Sequence, residues 1–329
     1  MNEPSQESPP PPMTPSSTTA IQRMREQIET VLLGQREVVY QVLAALLAGG
    51  HVLLEGKPGL GKTQLVLAMA KSFAGSFGRI QFTPDLMPSD VTGFRLFDMK
   101  SQTFQLRKGP VFTHLLLADE INRAPAKTQS ALLEVMQERQ VTIDGETLLL
   151  APPFMTLATQ NPVEHEGTYP LPEAQLDRFL MKILLDYPEA KAEREIVTRS
   201  AAEVPGESPV ARVEAVATPE DLVRAQAETA AVKVVSEVVD YAVAIVQATR
   251  ESRAVTLGAG TRGAIALVRI AKAIAVLHGR DFVIPDDIKG AALPVLRHRI
   301  QLAPEVAISG QDGDGILKAL VESVPAPRS

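Results

Sequence analysis

The most constraining feature of the sequence is a glycine-rich loop between a strand pattern and a helical pattern. Residues 56–63 read GKPGLGKT, which fits GxxxxGK[ST], with an apolar strand pattern at 51–55 and helical spacing at 62–73. In this context the glycines let backbone N–H groups point at phosphate oxygens, and the helix N-terminus adds its positive end. We expect Lys62 to reach the β- and γ-phosphates and Thr63 to bind Mg²⁺.

A second apolar run ends in two acidic residues. Residues 115–118 are apolar, and Asp119 and Glu120 follow them. Such a run predicts a buried strand of a parallel sheet, and ligands bind at the carboxyl ends of such strands. We expect Asp119 to hold Mg²⁺ and Glu120 to polarise an attacking water, which predicts an ATPase. Asn161 follows the next strand pattern and would hold that water, although an Asn before Pro is often only a turn residue.

Short apolar segments alternate with helical patterns from residue 51 to residue 185. The strand candidates are 51–55, 79–82, 115–119, 154–159 and 181–185. This alternation is typical of an α/β fold in which helices cover both faces of a parallel sheet. Two segments, 93–106 and 141–148, interrupt the alternation and are predicted to be β-hairpins, the second around an Asp-Gly turn.

The composition divides the chain into three parts. Residues 1–18 are rich in Pro and Ser and are predicted to be a disordered tail, or alternatively a ligand for a proline-recognition module. One of the hydroxyl residues at 17–19 is the expected cap of the first helix. Residues 19–186 form the predicted α/β domain, and 187–329, where strand patterns stop, the predicted all-helical domain.

Composition also excludes several classes of protein and site. The 33 basic and 39 acidic residues give a net charge of −6, which disfavours a general nucleic-acid binder. The absence of Cys excludes disulfides, zinc–thiolate sites and a Cys nucleophile. No apolar run approaches the roughly 18–20 residues of a membrane span, and no signal-peptide pattern begins the chain. We therefore expect a cytoplasmic protein, and we interpret its five histidines, which lack metal-ligand spacing, as structural or surface residues.

Two arginines are candidates for contact with phosphate. Arg178 either pairs internally with Asp177 or Glu173, or projects into a neighbouring subunit's site as an arginine finger. Arg262 lies at the start of a helix in the second domain, where the helix dipole disfavours a cation. It is either a surface charge or a ligand of the γ-phosphate that couples the angle of the second domain to the nucleotide.

Together these segments resemble the MoxR family of AAA+ ATPases over about residues 20–305. The resemblance is carried by GKPGLGKT at 56–63, FTPDLMPSDVTG at 82–93, KGPVF at 108–112, LLLADEINRAP at 115–125, LLEVMQERQVTIDG at 132–145, ATQNP at 158–162 and LPEAQLDRF at 171–179. Residues 258–262 read GAGTR, where the family more often has GASPR.

The resemblance implies roles for particular residues. It identifies Asn161 as the sensor 1 residue, Arg178 as the arginine finger and Arg262 as the sensor 2 arginine. It also identifies 93–106 as the helix-2 insert and 141–150 as the pre-sensor-1 hairpin. The nucleotide-binding residues are then Gly34 and Gln35 near the adenine, and Gly56, Pro58, Gly59, Leu60, Gly61, Lys62, Thr63 and Gln64 around the phosphates, with Thr63 and Asp119 as Mg²⁺ ligands.

The resemblance also implies an assembly and a type of work. It implies an AAA+ domain followed by a helical lid, a hexameric ring that uses ATP and Mg²⁺, and chaperone-like remodelling or maturation of a partner with a von Willebrand factor A-type domain. A nucleic-acid motor and a slow ATP-dependent binding switch are the alternatives. The 141–150 hairpin disfavours the motor, because it carries Asp144 and Glu146 and no Lys or Arg.

Overall fold

The computed structural model describes residues 15–161, 168–202, 208–308, 310 and 312–327. The strands are β1 (Val52–Gly56), β2 (Phe77–Gln81), β3 (Gly93–Asp98), β4 (Thr103–Lys108), β5 (Leu115–Asp119), β6 (Gln140–Ile143), β7 (Glu146–Leu149), β8 (Met155–Gln160), β9 (Met181–Leu185), β10 (Val255–Leu257) and β11 (Gln301–Leu302). The helices are α1 (Pro15–Val31), α2 (Arg36–Leu47), α3 (Lys62–Ser72), α4 (Pro88–Thr92), α5 (Ala126–Glu138), α6 (Glu173–Leu176), α7 (Ala190–Ala202), α8 (Pro219–Ala231), α9 (Ser236–Glu251), α10 (Thr261–Leu277), α11 (Pro285–Leu296), α12 (Pro304–Ile308) and α13 (Gly313–Ser323).

A five-stranded parallel sheet forms the centre of the first part of the chain. Its strand order is β2-β5-β8-β1-β9, and all four neighbouring pairs are parallel. The predicted fold class is confirmed, and β5 and β9 have the predicted bounds. Because the strands are parallel, their carboxyl ends meet at one edge of the sheet, and their amino ends meet at the opposite edge.

Alternating side chains of the sheet belong to two hydrophobic clusters. In β1, Val52 and Leu54 join one cluster and Leu53 joins the other. The first cluster also holds residues of α1, α2 and α3 and of the later helices α8 to α11, so these helices and one face of the sheet share one core. The second cluster holds α5 and both hairpins. Because the first core is shared, the division predicted between residues 186 and 187 stays a prediction.

The part of the chain after β9 is mainly helical, but it is not free of strands. The short strands β10 and β11 pair antiparallel with each other, so the prediction that strands end at Leu185 is wrong. Strands of three and two residues are too short to produce a detectable alternation. Helix α11 starts at Pro285, with Asp286 and Asp287 in its first turn.

Two β-hairpins extend from the first part of the chain, as predicted. Strand β3 pairs with β4, and β6 pairs with β7. The guanidinium of Arg95 on β3 forms an ion pair with Glu146 on β7. The two hairpins therefore contact each other.

The start of the chain differs from the expectation. Helix α1 begins at Pro15, inside the segment predicted to be a tail, so Thr18 and Thr19 lie within a helix rather than capping it. Proline is well suited to a first helical turn, because its fixed φ matches the helix and its missing N–H would have no partner there. The rest of the predicted tail, residues 1–14, lies outside the described residues. Within the described residues, no helix has both the length and the apolar character needed to cross a membrane.

Candidate functional site

The glycine-rich loop connects the carboxyl end of β1 to the start of α3. Gly59 has a φ of 84° and Gly61 a φ of 80°, in the left-handed region that residues with a Cβ rarely adopt. The loop encloses the ammonium group of Lys62, whose Nζ donates to the carbonyl oxygen of Gly56 at 2.5 Å. The loop can therefore hold phosphate oxygens between its backbone N–H groups and this lysine.

The two acidic residues lie across the same cavity, at the carboxyl end of β5. The cavity has a volume of about 380 Å³, and its lining includes Lys62, Thr63, Asp119, Glu120 and Asn161. Five predicted site residues from three strand ends are thus brought together. The other lining residues are Gly56, Pro58, Gly59, Leu60, Gly61, Gln64, Arg79 and Thr159.

Thr159 of β8 organises the acids. Its hydroxyl donates to Asp119 Oδ1 at 2.7 Å and accepts the backbone N–H of Glu120 at 2.8 Å. Glu120 has a φ of 57°, which is uncommon for a residue with a side chain, and this hydrogen bond stabilises that conformation.

The charge of Lys62 is balanced within the cavity. Burial lowers the pKa of Lys62, and the nearby carboxylates, above all that of Asp119, oppose this shift. Asp119 and Thr63 offer the hard oxygen donors that Mg²⁺ prefers, and they leave other coordination positions to phosphate and water. The donor set therefore fits Mg²⁺. Within the described residues, no group of three or more His, Asp or Glu side chains offers another metal site.

Strand β2 adds two residues that sequence reasoning missed. Arg79 Nη2 lies 2.7 Å from Asp119 Oδ2, and Gln81 Nε2 donates to Glu120 Oε2 at 2.8 Å. The sequence predicted a strand at 79–82 but gave no role to Arg79 or Gln81. The available signal was that Arg79 and Gln81 are polar residues two positions apart, so they lie on the same face of a strand whose carboxyl end is at the site.

Gly34 and Gln35 do not line the phosphate cavity and instead contact the segment after β9. Gln35 Nε2 donates to the carbonyl oxygen of Asp186 at 2.6 Å, after the end of β9. A Cβ on Gly34 would lie 2.8 Å from the Cβ atoms of Pro188 and Ala192. A second cavity of about 460 Å³ between α1 and α7 shares Gln64 with the phosphate cavity.

Arg178 and Arg262 line a different cavity. This cavity has a volume of about 360 Å³, and its lining includes five arginines: Arg139, Arg178, Arg262, Arg269 and Arg299. We call it the arginine cavity. None of the residues that line the phosphate cavity also lines it.

The contacts of Arg178 and Arg262 differ from the simplest expectations. Arg178 Nη1 donates to the carbonyl oxygen of Leu133 at 2.9 Å, and in the described part of the chain it pairs with neither of the two carboxylates considered above. Arg262 forms an ion pair with Asp177 at 3.4 Å. Arg262 therefore does not line the phosphate cavity of its own subunit. One interpretation of the sequence had expected it to bind the γ-phosphate, and this position differs from that expectation.

The two cavities lie at opposite edges of the sheet. Residues 49–51, which lead into β1, line the arginine cavity, whereas Gly56, the last residue of β1, lines the phosphate cavity. A strand of five residues spans about 16 Å. The sequence contained this information, because Arg178 precedes a strand parallel to β1 and the phosphate loop follows β1.

Comparisons with known proteins agree with this architecture. Residues 51–181 match the family model described as ATPase family associated with various cellular activities (AAA), and residues 247–320 match the AAA lid domain. A crystal structure of a proposed ATPase from Cytophaga hutchinsonii superposes with a TM-score of 0.87 at 41% identity, and the match covers 95% of this chain and 96% of that one.

Several curated proteins are similar in sequence over most of their length. The protein YeaC of Bacillus subtilis is 48% identical, over 92% of this chain and 93% of its own length. Chaperone MoxR1 of Mycobacterium tuberculosis is 42% identical, over 94% of this chain and 82% of its own. Protein MoxR of Methylorubrum extorquens is 32% identical, over 94% and 95%.

Proposed function

Because the chain belongs to the MoxR family of AAA+ ATPases, we propose that it hydrolyses ATP in the presence of Mg²⁺, in a ring of subunits, to remodel a partner protein. The observation that carries the proposal is the phosphate cavity, in which Lys62, Thr63, Asp119 and Glu120 converge from two strand ends. Mg²⁺ bound by Thr63 and Asp119 would neutralise phosphate charge and polarise the phosphoryl group.

In this proposal the residues of the chain have distinct tasks. The loop N–H groups and Lys62 bind the phosphates, and Asn161 orients the attacking water for Glu120, which accepts its proton. Gly34 and Gln35 are the proposed neighbours of the adenine. The cavity between α1 and α7 is lined by Leu33, the residue before them, and is large enough to take the base. Gln64 lines both this cavity and the phosphate cavity.

The arginine cavity supports assembly. Arg178 and Arg262 are exposed and lie at the edge of the sheet opposite the phosphate cavity. Arginine side chains stabilise the charge on the phosphoryl group in the transition state of its transfer, and a neighbouring subunit can supply them. We therefore propose that both arginines act on the nucleotide of the next subunit, in the hexamer that the family resemblance implies.

The partner is the least specified part of the proposal. One relative is named a chaperone, which supports remodelling of a protein. The family resemblance makes a von Willebrand factor A-type domain the first candidate. Glu120→Gln protein loaded with ATP and Mg²⁺ is the bait for affinity capture, and Lys62→Ala protein is its control. Enrichment of such a domain by the bait alone supports the proposal, whereas enrichment of nucleic acid would replace it with a motor acting on DNA or RNA.

The test of hydrolysis is a phosphate-release assay on three variants. Lys62→Ala is expected to lose turnover, and Glu120→Gln to bind ATP but hydrolyse it about 10²–10⁴-fold more slowly, the usual contribution of a general base. Lys57→Ala is the matched control from the same loop, because the Lys57 ammonium lies over the Tyr187 ring, 5.0 Å from its centroid. Normal turnover in Lys62→Ala, or equal losses in all three variants, would contradict the assignment.

A further inference from the structure

Arg79 lies in the phosphate cavity, although the mechanism proposed above gives it no task. It belongs to β2, the edge strand next to β5, and it lines the cavity together with the glycine-rich loop. Its side chain is 47% exposed. A cation in this position borders the cavity, a proposed metal ligand and solvent at the same time.

Both carboxylate oxygens of Asp119 have protein partners. Oδ1 accepts the Thr159 hydroxyl at 2.7 Å, and Oδ2 accepts Arg79 Nη2 at 2.7 Å. A Mg²⁺ ion, or a water molecule bound to it, needs one of these oxygens as its ligand or acceptor. The Thr159 bond also supports the backbone of Glu120, so Oδ2 is the oxygen that can be released at the lower cost.

A guanidinium and a Mg²⁺ ion compete for Oδ2. That oxygen has only two lone pairs, and the like charges of the two groups repel each other in a cavity where water screens them less than in bulk solvent. The ion pair is nevertheless exchangeable, because its arginine is about half exposed to solvent and ion pairs near the surface contribute little to stability. Arg79 can therefore pair with Asp119 when no metal is bound and can leave it when a metal binds.

We propose that Arg79 competes with Mg²⁺ for Asp119 and thereby sets the Mg²⁺ concentration at which the protein binds nucleotide tightly. The inference rests on the proposed function, since it concerns the same nucleotide site. Arg79 acts through Asp119 and is a positioning residue.

Displacement of Arg79 from Asp119 would also affect the hydrogen bonding of Glu120. Arg79 Nη2 also donates to Gln81 Oε1 at 3.1 Å, and Gln81 Nε2 donates to Glu120 Oε2. When Arg79 leaves Asp119, Gln81 loses one of the two bonds that hold its amide. Metal capture by Asp119 and the orientation of Glu120 are thus connected through two side chains of β2.

The experiment measures the affinity of a fluorescent ADP analogue as a function of free Mg²⁺, without any turnover. Arg79→Gln is expected to lower the half-saturating Mg²⁺ concentration about twofold to fivefold, the range that an ion pair near the surface supplies. The affinity measured in EDTA is expected to stay unchanged. Arg79→Lys keeps the charge but loses the planar fork, so we expect a smaller shift.

Arg123→Gln is the matched control. Arg123 pairs with Glu120 at 3.2 Å and is 42% exposed, so the variant removes the same charge from the other acid. An equal shift in Arg123→Gln would reduce the effect to general electrostatics and overturn the proposal. An unchanged Mg²⁺ midpoint in Arg79→Gln, or weaker binding in EDTA, which would indicate a direct phosphate contact, would also overturn it. If the wild-type protein binds no nucleotide under any condition, it is the proposed function that fails.

Discussion

At the amino edge of the sheet, the buried side chain of His51 is held by hydrogen bonds on both of its ring nitrogens. His51, just before β1, is 7% exposed and makes two hydrogen bonds within the described chain. Its Nδ1 accepts the backbone N–H of Thr156 at 2.9 Å, and its Nε2 lies 2.9 Å from the carbonyl oxygen of Met136. A backbone N–H must donate, so Nδ1 carries no proton and Nε2 carries one. Protonation of the ring would break the bond to Thr156.

This geometry predicts acid sensitivity. Burial lowers the pKa of His51 to about 4 in the folded protein, against about 6.5 in the unfolded chain. The unfolded state therefore binds the proton first as the pH falls, so stability is full above about pH 6.5 and declines towards pH 4. Between pH 7 and pH 5 the free energy of unfolding should fall by about 2 kcal/mol from this residue.

Urea unfolding at pH 7 and at pH 5 checks this prediction. His51→Gln is expected to be less stable at pH 7, because it alters two buried hydrogen bonds, but to lose less stability on acidification than the wild type. Burial also lowers the pKa of His298, so part of the pH dependence should remain in the variant. Equal pH dependence in both proteins would contradict the role of His51.

At the scale of elements, the β3–β4 hairpin is anchored by a close approach of two backbone segments. A Cβ on Gly109, just after β4, would lie 2.3 Å from the carbonyl oxygen of Val91 and 2.6 Å from the backbone nitrogen of Gly93. Both contacts are with backbone atoms, which cannot rotate away as a side chain can. Only a residue without a Cβ fits at position 109, and this close contact fixes the orientation of the hairpin.

Gly109→Ala is expected to destabilise the protein by about 1–3 kcal/mol, the usual cost of overpacking a close contact. Hydrogen exchange should increase at the hairpin and α4 before it increases in the parallel sheet. Gly290→Ala in α11 is the matched control, because a Cβ there meets open space and should stabilise the helix by about 0.5–1 kcal/mol. Similar losses in the two variants would show that glycine replacement as such, and not the contact with Val91, is the cause.

The elements also show which parts of the fold and site could be predicted from the sequence. The bounds of β5 and β9 and the convergence of Lys62, Thr63 and Asp119 followed from local patterns, because a buried apolar run specifies a strand and parallel strands end at one edge. The pairing of β10 with β11 and the contact of Arg79 with Asp119 did not follow. The first involves too few residues for a period, and the second depends on which strand lies beside β5.

At the scale of the whole molecule, the phosphate cavity and the arginine cavity lie at opposite edges of one sheet. Arg299 helps to fix this arrangement: its buried guanidinium donates to Asp177 Oδ1 and to the carbonyl oxygen of Phe179, both at 2.8 Å, and so connects the end of α11 to the segment before β9. Arg262 of α10 pairs with the same Asp177. The position of the lid helices and that of the two exposed arginines are therefore set together.

Mixing two inactive variants tests whether the cavities act across subunits. Lys62→Ala and Arg178→Ala should each have little activity alone, because each lacks one half of every site. In an equal mixture with random assembly, about one quarter of the contacts join an intact phosphate cavity to an intact arginine, so about a quarter of wild-type turnover should return. Absence of any recovery, after subunit exchange is verified by mass, would contradict action in trans.

The placement of the two cavities at opposite edges has a consequence for inheritance. In the proposed ring, a substitution that affects one edge would inactivate one contact for each altered chain. A substitution that distorts the whole sheet, but still allows assembly, would inactivate two, because the chain would be deficient at both of its contacts. If half of the chains carried the second kind of substitution, only about a quarter of the contacts would stay intact in a closed ring. Substitutions that distort the sheet without preventing assembly should therefore be more dominant over a normal copy than those confined to one catalytic side chain.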